Sequence, residues 1–407
     1  MQYSITAPKT IDARIVLPAS KSISNRALII SGLSYSGIPV QNLSESDDTQ
    51  VLLKALNSNS NVFDVGPAGT AMRFITAFLS KIMGEWVVTG SERMKNRPIK
   101  ILVDALNELG ARIEYMEKEG YPPLKIYGSA LYSKTLELEG NISSQYISAL
   151  LMIGPTVQGG LTLKLKNKII SKPYIRMTLR MMEYFGVKAE WEGDTITIAQ
   201  QNYKPREFFV EPDWSAASYW YQMVSLVPGA KVEIPDLIKE SYQGDSRCGE
   251  LFEQLGVKTT YSDEGAVLEN SGSTVEKLDV DFVDQPDLAQ TFVVTCALKG
   301  IPFYFKGLHS LKIKETNRVA ALIKELGKMG FVITEPEEGC MAWDGSTSEK
   351  KENIAIDTYE DHRMAMAFAP AAVMLPGIII NEPGVVSKSY PGYWKDLGLA
   401  GFNVIEQ

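Results

Sequence analysis

The sequence predicts an α/β fold in two domains, assembled from a repeat of about 70 residues. Three observations predict it. Four segments share one pattern, an amphipathic helix closed by Gly and followed by a strand: residues 102–115 (LVDALNELGARIEY), 179–191 (LRMMEYFGVKAEW), 249–261 (GELFEQLGVKTTY) and 322–334 (LIKELGKMGFVIT). The closing glycines, Gly110, Gly186, Gly256 and Gly330, with a fifth at Gly401 in LAGFNVIEQ, are spaced by 76, 70, 74 and 71 residues. At 407 residues the chain holds nearly six such units and outgrows what one hydrophobic core usually serves.

The physical account of each junction is a glycine in the left-handed conformation that ends the helix and releases the chain into a buried strand. A first copy is expected near residue 50. Residues 49–65 (TQVLLKALNSNSNVFDV) carry the helix but reach the next strand through an Asn/Ser stretch, with Leu56-Asn57 where the others have Leu-Gly. That unit is read as shortened by a hairpin. Ahead of it, residues 17–33 (LPASKSISNRALIISGL) form a helix capped by Ser20 or Ser22, with Ala27, Leu28, Ile30 and Leu33 on its apolar face. Lys21, Ser22 and Arg26 cluster at its N-terminal end, where free backbone N–H groups suit an anion. Residues 66–73 (GPAGTAMR) are a glycine turn feeding another helix, without the Gly-Lys-Ser/Thr ending of a nucleotide-binding loop. Arg93, Lys95 and Arg97 follow, and Pro98 is expected to open the next helix.

In the second half, Asp287 is expected to cap a helix after Pro286. Lys314 and Arg318 are expected to share one helix face, which is unfavourable unless an anion sits between them. Asp361-His362-Arg363 begins a further helix, and the uncharged run 364–380, broken by Pro370 and Pro376, reads as a buried helix followed by a strand rather than a membrane span. Lys388 stands in a loop.

Composition narrows the function. With 41 Lys+Arg against 49 Asp+Glu the net charge is -8, which argues against nucleic-acid binding but allows a local basic cluster for a small anion. Cys248, Cys296 and Cys340 fit neither a disulfide framework nor a zinc knuckle, and His309 and His362 cannot build a His-rich metal site. Lys9, Asp12 and Arg14 interrupt any signal-peptide pattern, so a cytoplasmic protein is expected.

Seven segments, LPASKSISNRAL, AGTAMR, RMKNRPI, SSQYISALLM, SKPYI, IKETNR and DHRMAMAF, occur in the order and approximate spacing of the 5-enolpyruvylshikimate-3-phosphate synthase family, which the chain resembles from about residue 17 to 393. The resemblance implies a two-domain inverse α/β barrel of six βαβαββ repeats, the first shortened, with residues 18–212 as one domain and 1–17 plus 213–407 as the other. It implies transfer of the enolpyruvyl group of phosphoenolpyruvate to the 5-hydroxyl of shikimate 3-phosphate, by addition and then elimination of phosphate, in a monomer without metal or organic cofactor. Carried over residue by residue, Lys21, Ser22, Arg26, Ser143, Ser144, Gln145, Ser171, Tyr174, Asp287, Ser310 and Lys314 are expected around shikimate 3-phosphate. Lys21, Gly69, Arg97, Gln145, Arg318, Arg363 and Lys388 are expected around phosphoenolpyruvate. Asp287 is the expected proton acceptor, Glu315 the group that exchanges a proton with the methylene carbon, and Lys21 and His362 complete the catalytic set.

Three positions depart from the family pattern: Pro67 where Asn is common, Phe74 where Pro is common, and Ser310 where Asn is usual. The related UDP-N-acetylglucosamine enolpyruvyl transferases are a poorer match, because their active-site cysteine falls in the first half and every cysteine here lies at 248 or beyond. A non-catalytic anion-binding homologue would lack Asp287 or Glu315, and both are present. Because the expected ligands divide between the halves, a hinged closure on the substrates is also expected.

Overall fold

The computed structural model describes residues 1–35 and 37–407. The chain forms two compact units, Ala19–Val210 and Met1–Pro18 with Glu211–Gln407. It opens with β1 (Gln2–Thr6) and β2 (Asp12–Arg14), then two helices, α1 (Lys21–Leu33) and α2 (Asp47–Leu56). Two repeats follow: β3 (Val62–Asp64), α3 (Gly69–Lys81), β4 (Glu85–Thr89), α4 (Lys100–Glu108), β5 (Arg112–Tyr115), β6 (Leu124–Tyr127); and β7 (Thr135–Glu139), α5 (Ser144–Ile153), β8 (Leu161–Lys166), α6 (Lys172–Tyr184), β9 (Glu190–Glu192), β10 (Thr195–Ile198). The other unit continues with α7 (Trp214–Leu226), β11 (Lys231–Pro235), α8 (Cys248–Glu253), β12 (Val257–Ser262), β13 (Gly265–Asn270), then β14 (Leu278–Asp281), α9 (Ala289–Lys299), β15 (Phe303–Lys306), α10 (Arg318–Lys328) and β16 (Met341–Trp343). It ends with β17 (Ala355–Ile356), α11 (His362–Phe368), β18 (Ile378–Asn381), α12 (Tyr393–Leu399) and β19 (Asn403–Glu406).

Every four-stranded sheet uses one order. The first two strands of a repeat are parallel, the fourth lies antiparallel beside the second, and the third occupies the edge, as in β3-β4-β6-β5 and β7-β8-β10-β9. A parallel pair needs a helical crossover, and a hairpin closes the other edge. The N-terminal strands complete this scheme in the second unit: β2 pairs parallel with β11, and β1 takes the fourth place between β18 and β19.

The five closing glycines all have positive φ, from 86° to 101°. In four of them a backbone bond runs back from the residue beyond the glycine, Ala111 to Leu106, Val187 to Met182, Phe331 to Leu326 and Phe402 to Leu397, satisfying a helix-end carbonyl. After Gly330 the expected strand does not form, Phe331 and Thr334 making isolated bridges to Thr347 and Ala342, and the strands that follow the other four glycines are not buried. β5, β9, β12 and β19 sit at sheet edges with alternate or most residues exposed or half-exposed, because the third strand of this order has a partner on one side only.

The two helices of a repeat differ in burial. α3 and α5 in one unit, and α7, α9 and α11 in the other, are buried on nearly all sides, and α1 packs on α3 and α5. α4, α6 and α10 are amphipathic and keep one exposed face. The run 364–380 is indeed divided between α11, a 3-10 turn at Ala369–Val373, and β18. Among the described residues no helix is long and apolar enough to cross a membrane.

Candidate functional site

The motif residues gather at helix N-termini, where unpaired N–H groups and the helix dipole favour negative charge. In the Ala19–Val210 unit, Ser20 occupies the cap position of α1, but its side chain makes no cap bond and its buried Oγ has no hydrogen-bond partner among the described residues; Ser22 lies inside the first turn. Lys21 Nζ stands 3.5 Å from Asp48 Oδ2. Arg26 is not a surface charge, being only 2% exposed. Its Nε donates to Thr178 Oγ1 (2.7 Å), Nη1 to the Ser22 carbonyl (2.9 Å) and Nη2 to Ser148 Oγ (3.0 Å). None of these is a carboxylate. Burial accordingly lowers the guanidinium pKa to about 10.

Ser143 caps α5 by accepting from the Gln145 N–H, Ser144 opens that helix, and Gln145 Nε2 donates to Thr70 Oγ1 on α3 (3.1 Å). Ser171, buried and left-handed at φ 52°, precedes α6, and the Tyr174 carbonyl accepts from Thr178. Gly69 opens α3 directly against two guanidinium groups: a Cβ there would lie 2.5 Å from Arg97 Nη1 and 2.9 Å from Arg73 Nη1. Pro98 does not open α4. Ile99 intervenes at the cap, and the Pro98 carbonyl instead accepts from Tyr146 and Arg73, a use that needs no N–H.

In the 211–407 unit the site is an ionic cage. Arg318 Nε donates to Asp361 Oδ2 (2.7 Å), Nη1 to Asp287 Oδ1 (3.1 Å) and Nη2 to Glu315 Oε2 (2.8 Å). Arg363 Nη2 lies 3.0 Å from Asp287 Oδ2, Lys314 Nζ 3.8 Å from Asp287 Oδ1, and Lys388 Nζ 3.2 Å from Glu315 Oε1. Two expectations fail here for local reasons. Asp287 lies in the 3-10 turn Pro286–Leu288 and does not cap α9, because Leu288 takes that place. Lys314 and Arg318 share no helix face, since α10 starts at Arg318 behind an Asn317 cap; the carboxylate of Asp287 joins them instead.

Burial, the largest influence on Asp287, pushes its pKa up, but Arg363, Lys314 and Arg318 together outweigh it and hold the carboxyl well below the usual range. The same balance holds Arg318 above its ordinary value, as Asp361, Glu315 and Asp287 overcome burial. His362 is buried at the start of α11 with Nδ1 3.7 Å from Asp361 Oδ1. Ser310 is half-buried in the 3-10 turn His309–Ile313. Among the described residues no group of three or more His, Cys, Asp or Glu side chains is arranged to hold a metal ion.

Several contributors escape sequence reasoning. Ser148 and Thr178 hold Arg26 from 122 and 152 residues away; Ser148 lies within the SSQYISALLM segment and Thr178 one turn beyond SKPYI, and nothing local in either segment pairs it with Arg26. Asp48 lies outside the quoted motifs, whereas Arg73 and Asp361 lie inside GPAGTAMR and DHRMAMAF without being assigned a role there; a charged residue within a motif is the available signal for those two. Asp245, in the 3-10 turn Gly244–Arg247, is raised to about 7 by burial and then by Asp287, and bonds Ser215.

Comparison with known proteins follows the same lines. The family described as EPSP synthase (3-phosphoshikimate 1-carboxyvinyltransferase) matches residues 5–58 and 53–397. A 3-phosphoshikimate 1-carboxyvinyltransferase of Bacteroides fragilis (strain YCH46) is 56% identical over 405 residues, covering 99% of each chain. One from Vibrio atlanticus (strain LGP32) is 36% identical over 416 residues, covering 95% of this chain and 96% of its own. In fold, the solved EPSP synthase of Acinetobacter baumannii aligns over 100% of both chains with a TM-score of 0.81 at 22% identity. A match that runs through both compact units, carried by sequence as well as by fold, makes this chain a member of the EPSP synthase family.

Proposed function

We propose that the protein transfers the enolpyruvyl group of phosphoenolpyruvate to the 5-hydroxyl of shikimate 3-phosphate and releases phosphate. The observation that carries this reading is the cage in which Asp287 and Glu315 stand among Arg318, Arg363, Lys314 and Lys388. The reaction needs such a set. In the addition step the 5-oxygen bonds to the central carbon of phosphoenolpyruvate, its proton leaves to a base, and an acid protonates the methylene carbon. Elimination takes a proton back from the resulting methyl group and expels phosphate. Asp287 is the base for the hydroxyl and Glu315 the group at carbon, with Lys21 and His362 in support.

The low pKa of Asp287 keeps it ionised and thus able to accept. Arrival of an anionic substrate that recruits Arg363 and Lys314 loosens their hold on Asp287 and raises its basicity, so binding itself arms the base. Arg97, Arg318, Arg363, Lys388, Lys21, Gln145 and Gly69 then serve phosphoenolpyruvate. Lys21, Ser22, Arg26, Ser143, Ser144, Gln145, Ser171, Tyr174, Ser310 and Lys314 serve shikimate 3-phosphate. Arg26 supports this assignment, because a buried guanidinium whose hydrogen bonds all go to neutral oxygens leaves its charge for an anion. The reading is of a cytoplasmic monomer, a state that light scattering on the purified protein checks.

A coupled phosphate-release assay with shikimate 3-phosphate and phosphoenolpyruvate tests the proposal. Sustained release that requires both substrates is expected. Absence of release from folded protein, or release without shikimate 3-phosphate, overturns it.

A further inference from the structure

Lys388 reaches the cage from the 3-10 turn Pro383–Lys388, with Nζ 3.2 Å from Glu315 Oε1. In the reaction proposed above Glu315 takes up a proton and gives it back, and its attraction for the ammonium group lapses whenever it is protonated. A long lysine side chain then depends on its backbone for its place. That backbone is held at both ends of the turn. Trp394 Nε1 donates to the Pro383 carbonyl at 2.9 Å, and the N–H groups of Ser389 and Tyr390 both donate to the Val386 carbonyl, at 3.1 and 2.8 Å, closing the chain around Lys388. Tyr390, two residues past Lys388, is 1% exposed.

The Tyr390 hydroxyl is bonded on both sides. Trp220 Nε1 on α7 donates to Tyr390 Oη at 3.2 Å, and Tyr390 Oη donates to Asp396 Oδ2 on α12 at 2.7 Å. The direction follows from the chemistry of the groups: an indole N–H only donates, so the single hydroxyl proton is left for the carboxylate. Burial pushes the Asp396 carboxyl up and the bond from Tyr390 works against that rise, as a donor to the ionised form must. A phenylalanine would fill the same space against Tyr393, whose ring centroid lies 5.4 Å away, without bringing a polar group into the core. Packing therefore accounts for the ring and leaves the hydroxyl to be explained. What the hydroxyl adds is a tie from the end of the Lys388 turn to α7, 170 residues away in sequence, and to the first turn of α12.

We propose that Tyr390 is a positioning residue for Lys388: its hydroxyl, clamped between Trp220 and Asp396, fixes the turn from which the ammonium group meets an anion. The kinetic part of the test rests on the functional reading above; a labelling part does not. Tyr390→Phe keeps the ring and is expected to raise KM for phosphoenolpyruvate roughly 3–10-fold, the scale of one hydrogen bond, with kcat and KM for shikimate 3-phosphate little changed. Asp396→Ala is expected to act in the same way, and Asp396→Asn, which keeps an acceptor oxygen for Tyr390, to recover most of the loss. In an active parent, an unmoved KM for phosphoenolpyruvate in Tyr390→Phe, or Asp396→Asn no better than Asp396→Ala, overturns the proposal.

The labelling part follows acetylation of individual lysines by acetic anhydride, read by peptide mass spectrometry. Lys258, exposed on β12, is the reference, and Lys299, half-buried with Nζ donating to the Ser225 carbonyl at 2.7 Å, reports any general loosening of the unit. In Tyr390→Phe, Lys388 is expected to react about threefold faster relative to Lys258, again the scale of one hydrogen bond, with Lys299 unchanged. That result supports the clamp even in a parent without turnover, in which case only the functional reading fails. Equal rates at Lys388 in the two proteins, or a matching rise at Lys299, overturn it whatever the kinetics.

Discussion

Arg26 and Arg318 are both buried arginines in motif segments, and they are held in opposite ways. Arg26, in the Ala19–Val210 unit, donates to two hydroxyls and a carbonyl. Arg318, in the other unit, donates to three carboxylates. Burial pulls the pKa of Arg26 down to about 10, while the carboxylates lift that of Arg318 despite burial. Neutral acceptors orient a guanidinium and leave its charge uncancelled, which suits a residue that must attract an anion. A carboxylate cage cancels the charge and in return keeps the carboxylates ionised, which suits a place where protons move. The difference teaches that the partner, rather than the arginine, decides what a buried cation does.

The largest expected effect comes from breaking the cage. Arg318→Met strands Asp361, Asp287 and Glu315 together, and loss of one partner of a buried ion pair costs about 3–5 kcal/mol. A thermal unfolding midpoint equal to that of the parent protein would show that the cage contributes nothing to the fold.

Arg26→Met should separate binding from stability. No carboxylate is stranded, and Thr178 and Ser148 retain the bond between them at 2.9 Å. The unfolding midpoint is expected to stay close to the parent value, while KM for shikimate 3-phosphate rises roughly 10–100-fold, the scale of about 1.5–3 kcal/mol for a bond to a charged group. A drop in stability matching that of Arg318→Met would erase the contrast between the two arginines.

A smaller change probes the arginines that face Gly69. A Cβ there meets the flexible ends of Arg97 and Arg73 at 2.5–2.9 Å, so those side chains must give way while the backbone need not. For Gly69→Ala we expect KM for phosphoenolpyruvate to rise about tenfold, close to 1.4 kcal/mol, with little change in unfolding. An unchanged KM would mean that Arg97 reaches its ligand from another position.

The smallest effect concerns two aspartates of one unit. Asp287, among cations, is depressed, so its contribution to stability is present above its ordinary pKa of 3.8 and is lost as pH falls through its lower folded value. Asp245, bonded to a neutral hydroxyl, is raised to about 7, so its contribution is full below 3.8 and is lost as pH rises toward 7. The midpoint of Asp245→Asn minus that of the parent should therefore grow between about pH 4 and pH 7. A gap that stays flat over this window would place Asp245 among ordinary ionised carboxylates.

The sequence by itself determined the repeat. A helix that must stop and turn needs a residue tolerant of positive φ, and Gly110, Gly186, Gly256, Gly330 and Gly401 mark those stops at regular intervals because the rule is local. It also located the starts of α1, α3 and α11, since capping and N-terminal anion affinity are properties of a few neighbouring residues, but not those of α4, α9 and α10. Tertiary structure decided the rest. The strands after the glycines are expected to be buried, yet β5, β9, β12 and β19 become edges because each four-stranded sheet places its fourth strand beside its second. Lys314 and Arg318 have helical spacing, yet α10 begins only at Arg318, and Asp287, 31 residues from Arg318, is what joins them. The neutral cradle of Arg26 is assembled across 122 and 152 residues by hydroxyls that any helix could carry, and a bond of that range leaves no mark on either segment until the chain has folded.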